Sequence, residues 1–353
     1  MRTLRVVIIT AIAALFAGQH ISAQALTYQI FDRYLDTLRQ QSAIPGLSAA
    51  VVQNGVVLWE DGLGYADLEA RVAPTPYTPY VLGDLSQVLA STLLLDRCVD
   101  HSYLQTSDRV IRWFPGFADQ TSTVKHLLAH ATPTGAFAYD PDRYAALTQV
   151  IEQCASTPYP QILASQIFDQ FAMSTGTAPG QAIASPASPD RRLFDAATLA
   201  HYEAVVAQLA VPYQVDGRGR PIRSNVAAQP LDAAHGVISN IDDLRRFDAR
   251  LFGDDPALDP QTLAGVTNTT ALGAGPLPTG DGWFVQPYND EVLVWQFGMV
   301  KNAYSALYLH LKKHNVSLIL LANSDGLSSP FRLEQGDVTT SPFAKIFFRV
   351  FGL

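Results

Sequence analysis

The sequence predicts an α+β protein, an α/β sandwich. Its antiparallel sheet is built from both ends of the chain and flanked by N- and C-terminal helices, with a helical region inserted between the halves. Three observations predict this. Strand-like runs cluster near the two ends, leucine- and alanine-rich stretches at helical spacing fill the middle, and a helical pattern opens and closes the whole. The sheet-bearing part is expected over residues 26–83 and about 230–353, and the helical part over about 84–229.

The elements follow in order. Leu26 to Gln41 places Ile30, Phe31, Tyr34, Leu35 and Leu38 at helical spacing, and Ile44-Pro45-Gly46 ends that helix. Leu47 to Val52 is a β-type run, Asn54-Gly55 a hairpin turn and Val56 to Glu60 the return strand. Leu63 to Leu68 is expected to continue the sheet. Ser86 to Cys98 suits a buried helix. Val110 to Phe114, Val124 to His130, Tyr144 to Cys154 and Ile162 to Phe171 read as further helical pieces, and Leu193 to Ala210 as a helix or strand. Asp242 to Phe252 is a helix that Ser239 or Asn240 can cap. Gly282 to Gln286, Glu291 to Gln296, Ala303 to Lys312 and Val316 to Ala322 are successive strands, and Phe343 to Phe351 closes the chain as a helix.

Composition limits the function. Of 353 residues, 48% are hydrophobic and 16% charged, which describes a globular chain rather than a disordered one. The net charge of −8 excludes a nucleic-acid binder, which needs a concentrated basic face; the one dense basic cluster is Gly217-Arg218-Gly219-Arg220. Residues 1–25 have the three parts of a secretory signal peptide: Arg2 and Arg5, the apolar run Val6 to Gly18, and Ala23-Gln24-Ala25 as cleavage site. Cleavage takes the charge from −8 to −10, because two arginines and no acids leave. The expected mature protein is exported to a bacterial periplasm and has no spanning segment. Cys98 and Cys154 both sit in apolar, helix-like stretches. Two buried free thiols are the expected state, although that compartment permits a bridge.

A resemblance emerges from several stretches taken in order. Ile44-Pro45-Gly46-Leu47-Ser48, Gly62-Leu63-Gly64-Tyr65-Ala66 and a helix after Gly83 come first. His126-Leu127-Leu128-Ala129-His130, Tyr139 to Tyr144, and Ala233 to Ser239 follow. Trp295-Gln296-Phe297-Gly298 and Leu320 to Gly326 come last. Together they resemble the serine β-lactamase and penicillin-binding-protein superfamily, and within it the class C β-lactamases, D-alanyl-D-alanine peptidases and esterases. The likeness spans about Leu26 to Leu353. It implies a sheet domain, a helical domain and a cleft between them.

The chemistry implied by that family rests on three motifs, each altered here. In S-x-x-K the serine attacks a carbonyl and the lysine helps take its proton. Here the stretch is Gly83-Asp84-Leu85-Ser86-Gln87, so Asp84 stands at the serine position and Gln87 at the lysine position. Carboxylate attack on an ester or amide would give an energetic anhydride, and an amide is no base at neutral pH. Ser86 lies about 200° further round the helix and lacks a lysine of its own. In Y-x-N, Tyr139 is kept and Pro141 replaces the asparagine, leaving no side-chain hydrogen-bonding group. In the K-T-G or H-x-G motif, Gln296 replaces the ionisable residue and Gly298 is kept, as close backbone approach to a ligand requires. None of the five lysines, Lys125, Lys301, Lys312, Lys313 and Lys345, falls in a motif.

The expected function is therefore a pseudoenzyme that binds a peptide, cell-wall fragment, other small molecule or protein partner in the former cleft. An active hydrolase with Asp84 as base and Tyr139 as acid is the alternative, and a purely structural partner subunit the third reading. No cofactor is expected. His126 and His130 sit four apart on an expected helix, but no third metal ligand is evident. His235, after two alanines, reads as a packing or backbone-bonding residue.

Overall fold

The computed structural model describes residues 25–273 and 275–351. Apart from Ala25, the leader expected over residues 1–25 lies outside them. Helix α1 spans residues 25–41 and buries Phe31 and Leu35 completely. Strands β1 (Gly46–Gln53) and β2 (Val56–Gly64) form the expected hairpin. Asn54 and Gly55 both have positive φ, 50° and 75°, as the turn that matches strand twist requires. The sheet does not run on to Leu68. It stops at Gly64, and Asp67 instead bridges Val72 within a tight loop.

The middle of the chain is helical. α2 (Ser86–Leu94) is buried along its whole length and continues as a π-helical turn, Leu95–Asp100. Short helices α3 (Val124–Leu128), α4 (Pro141–Tyr144), α5 (Leu147–Ala155) and α6 (Tyr159–Leu163) precede α7 (Ala196–Ala207). Several elements were not anticipated from sequence, the short pairing of Tyr80–Val81 with Ile238–Ser239 among them, and two more follow. One is a ribbon of Tyr213–Val215 paired with Pro221–Arg223. The other is α9 (Pro260–Thr267), which follows α8 (Ile241–Phe252). Pro260 at its first position is a legible start signal, but the helix is short and weakly patterned. Asn240, one of the two expected caps, accepts from the Asp243 N–H at 2.8 Å.

Strands β3 (Phe284–Tyr288), β4 (Glu291–Val300), β5 (Tyr304–Leu311) and β6 (Val316–Ala322) complete one six-stranded sheet. Its order is β2-β1-β6-β5-β4-β3, antiparallel at every ladder. The N-terminal hairpin thus docks on the last strand, with Ala49 opposite Leu320. Both faces of the sheet are covered. Leu47, Leu320 and Trp295 pack with α1 and the closing helix α10 (Pro342–Phe351), while Ala50, Ile319 and Tyr308 pack with α2 and α8. Two-sided burial explains why β6 reads as a continuous apolar run rather than an alternating one.

Cys98 and Cys154 form a disulfide, contrary to the free thiols expected. The π-helical turn after α2 lies against the end of α5, bringing their Cα atoms to 6.2 Å. A separation of 56 residues hides that proximity in the sequence. His126 and His130 do not share a helix face either. α3 ends at Leu128, and His130 has turned to a φ of 47°.

Candidate functional site

The motif positions converge where α2 meets β4. A single 3₁₀ turn, Gly83–Leu85, leads into α2 and presses on the β4 backbone. Gly83 has a φ of 57°, and a Cβ there would lie 2.7 Å from the Met299 nitrogen. A Cβ at Gly298 would lie 2.0 Å from the Leu82 carbonyl oxygen. Backbone packing against backbone by itself therefore requires a glycine at 298.

Asp84 is buried, 5% exposed. Its carboxyl lies 3.2 Å from His235 Nε2, and the backbone N–H groups of Asp84 itself and Met299 favour its charged form. Burial pushes its pKa up, against the pull of His235 and the two N–H groups. His235 is the residue that sequence reasoning placed wrongly. Its imidazole bridges two carboxylates, Asp84 and, at 3.3 Å from Nδ1, Asp232. Burial alone would lower its pKa; the two carboxylates outweigh that and push it up to about 10. The ring is protonated at neutral pH. The strand Ile238–Ser239 pairs with Tyr80–Val81, which carries His235 to the start of α2 from 151 residues along the chain. Only the Asp232/His235 spacing was visible in sequence.

That ion pair has a pH consequence. His235 gains affinity for its proton on folding, so its contribution to stability is complete below about pH 6.5 and is lost as pH rises towards 10. The urea midpoint is expected to fall between pH 7 and pH 9.5, and to fall less in His235→Gln. Parallel pH profiles for the two proteins would remove the assignment.

Gln87, at the lysine position, is fully buried and serves as a hub. His130 Nδ1 accepts from the Asp140 N–H, so Nε2 carries the proton and donates to Gln87 Oε1 at 2.9 Å. Gln296 Nε2 donates to the same oxygen at 3.2 Å, and Gln87 Nε2 donates to Tyr139 Oη at 3.3 Å. Gln296 Oε1 accepts from the Phe297 N–H. Burial holds the pKa of His130 down to about 3 and drives that of Tyr139 well above its usual value. Every member of this network is neutral at physiological pH. Tyr139 packs its ring against His130, Phe284 and Phe297.

The remaining positions are structural in their contacts. Pro141 is the first residue of α4, and Asp140 caps that helix by accepting from the Arg143 N–H. Ser86, fully buried, accepts from the Val237 N–H at 3.2 Å. His126 and Thr123 cap α3 reciprocally. Among the described residues, no group of three His, Cys, Asp or Glu side chains is placed to hold a metal ion.

Comparison with known proteins agrees with this architecture. PbpX of Bacillus subtilis, named as a penicillin-binding protein, is 28% identical over 156 residues, covering 36% of this chain and 40% of PbpX. The chain thus matches less than half the length of that relative. The octameric penicillin-binding protein homologue from Pyrococcus abyssi superposes with a TM-score of 0.70 at 18% identity, over 91% of this chain and 77% of its own. A class C β-lactamase from Rhodobacter sphaeroides superposes with a TM-score of 0.67 at 15% identity, over 94% and 99%. At those identities the two structures establish the fold. The family model described as Beta-lactamase matches residues 31–336, nearly the whole folded unit, and the chain accordingly belongs to the Beta-lactamase family.

Proposed function

We propose that this is an exported, non-hydrolytic member of the family, which binds a peptide, a cell-wall fragment or a protein partner at the former cleft. One observation carries the reading. At the position that would hold the nucleophile, the Asp84 carboxyl lies 3.2 Å from His235 and is faced by the backbone N–H groups of Asp84 and Met299, which favour its charge. Such N–H groups are the kind that stabilise a developing oxyanion, and here a carboxyl of the chain itself lies against them. The base position supports the same reading, because Gln87 spends its side chain on three neutral neighbours. Export is supported by the leader pattern of residues 1–25 and by the Cys98–Cys154 bridge, a bond favoured in oxidising compartments.

The test is covalent trapping. Incubation with a labelled penicillin and with a fluorophosphonate should leave the intact mass unchanged, and a chromogenic cephalosporin and an ester should turn over at the buffer rate. A mass addition, or turnover abolished by Tyr139→Phe, overturns the proposal.

A second reading has one observation in its favour: Asp84 and His235 form a buried carboxylate–imidazole pair. As a hydrolase, the protein would use Asp84 as a general base on water. The pair is locked as an ion pair by Asp232, which leaves the imidazolium no capacity to accept a proton. Turnover that Asp84→Asn abolishes would select this reading over the first.

A further inference from the structure

Among the described residues, ten large apolar side chains are markedly exposed, and three of them, Leu26, Ile30 and Tyr34, lie on α1. Their spacing of four places them in one stripe along the helix, since each residue turns about 100°. This stripe is not the face that docks on the sheet. That face carries Phe31 and Leu35, packed on Trp59 and Phe347. The stripe borders two grooves that meet at Tyr34. One, of about 420 Å³, runs between α1 and α10 and is lined by Leu38, Ile346 and Val350 with Lys345 and Arg349. The other, of about 330 Å³, lies beside Ile30 and Arg33.

The charge on this face is opposite to that of the molecule. The chain carries −8 overall, yet neither groove is lined by a carboxylate. Arg33, Lys345 and Arg349 are exposed, and none is among the ion pairs of the described residues. The acids of α1 fall elsewhere: Asp36 is bonded to Arg39 and Gln40, and Asp32 faces Asp61.

We propose that this face of α1 and α10 docks on an anionic phospholipid surface. An apolar stripe flanked by long cationic side chains is the arrangement by which a helix lies in a membrane interface, with apolar groups entering and cations reaching the headgroups. A second copy of the chain fits worse. A twofold contact would press this face, whose grooves are lined by Arg33, Lys345 and Arg349 and by no carboxylate, against an identical one. The proposal does not depend on whether the cleft hydrolyses anything.

The experiment is co-sedimentation of the full chain, as recovered from expressing cells, with phosphatidylglycerol–phosphatidylcholine vesicles and with phosphatidylcholine alone. Binding should favour the anionic vesicles at least tenfold and weaken with salt. It should fall at least tenfold in Ile30→Gln/Tyr34→Gln and in Lys345→Glu/Arg349→Glu, both at exposed positions. A Tyr34→Trp probe should shift its emission to the blue on binding, which reports insertion independently of either variant's folding. Equal binding to both vesicle types, or binding that neither pair of substitutions reduces, overturns the proposal. A dimer seen by light scattering that the same substitutions dissociate assigns the face to a second copy instead.

Discussion

Gln87→Leu is expected to lower the stability of the protein by about 3 kcal/mol. The substitution keeps the volume roughly but removes one acceptor and one donor from a fully buried position. His130 Nε2, Gln296 Nε2 and Tyr139 Oη each lose a partner, and a net loss of about 1 kcal/mol per buried bond is ordinary. Orphaned buried groups add to the cost, since a leucine offers them no polar partner. Gln87→Lys should cost at least as much. An ammonium would bring only donors to His130 and Gln296, which themselves donate at that point, and would bury an unmatched charge. Urea denaturation with a common m-value measures both. A Gln87→Leu protein within about 0.5 kcal/mol of the parent would show that the network does not hold the fold. Gln87→Lys alone is accordingly expected to give no hydrolytic activity, because the surrounding side chains are arranged around a neutral amide.

The second large effect comes from the disulfide. Removing the bridge in Cys98→Ala/Cys154→Ala should cost about 4 kcal/mol. Chain-entropy arguments give about 3 kcal/mol for a 15-residue loop and about 4.7 kcal/mol for a 100-residue one, and this loop separates residues 56 apart. The bridge also ties the π-helical turn that continues α2 to α5, so its loss should loosen the helix that carries Gln87 and follows the Asp84 turn. Reductant should lower the urea midpoint of the parent and leave that of the double variant unchanged. Thiol titration in denaturant should find no reactive thiol before reduction and two after. Two thiols found before reduction would refute the bridge.

Much of the fold was legible because its elements have strong local signals. The Asn54-Gly55 turn, the four C-terminal strands and the amphipathic first and last helices all state their structure within ten residues or so. The ribbon at Tyr213–Arg223 and α9 were missed because both are short and weakly patterned. The candidate site was half legible. Asp84, Gln87, Tyr139, Pro141, Gln296 and Gly298 could be named from motif register. What they do could not, because their partners come from elsewhere in the chain.

By itself, the sequence determined the class of fold and the presence of Asp84 and Gln87 where the resembled motif has serine and lysine, since both are matters of residue identity and local pattern. Only the tertiary structure decided what replaced them. The crossing of Ile238–Ser239 with Tyr80–Val81 brings the His235 imidazole between Asp84 and Asp232, and the approach of α2 to β4 sets Gln87 against Gln296. The same holds for the bridge from Cys98 to Cys154 and for Gly298 against Leu82. These are contacts between residues tens to hundreds of positions apart. Their free energy depends on burial and on distances of about 3 Å, and neither is set until the chain has folded.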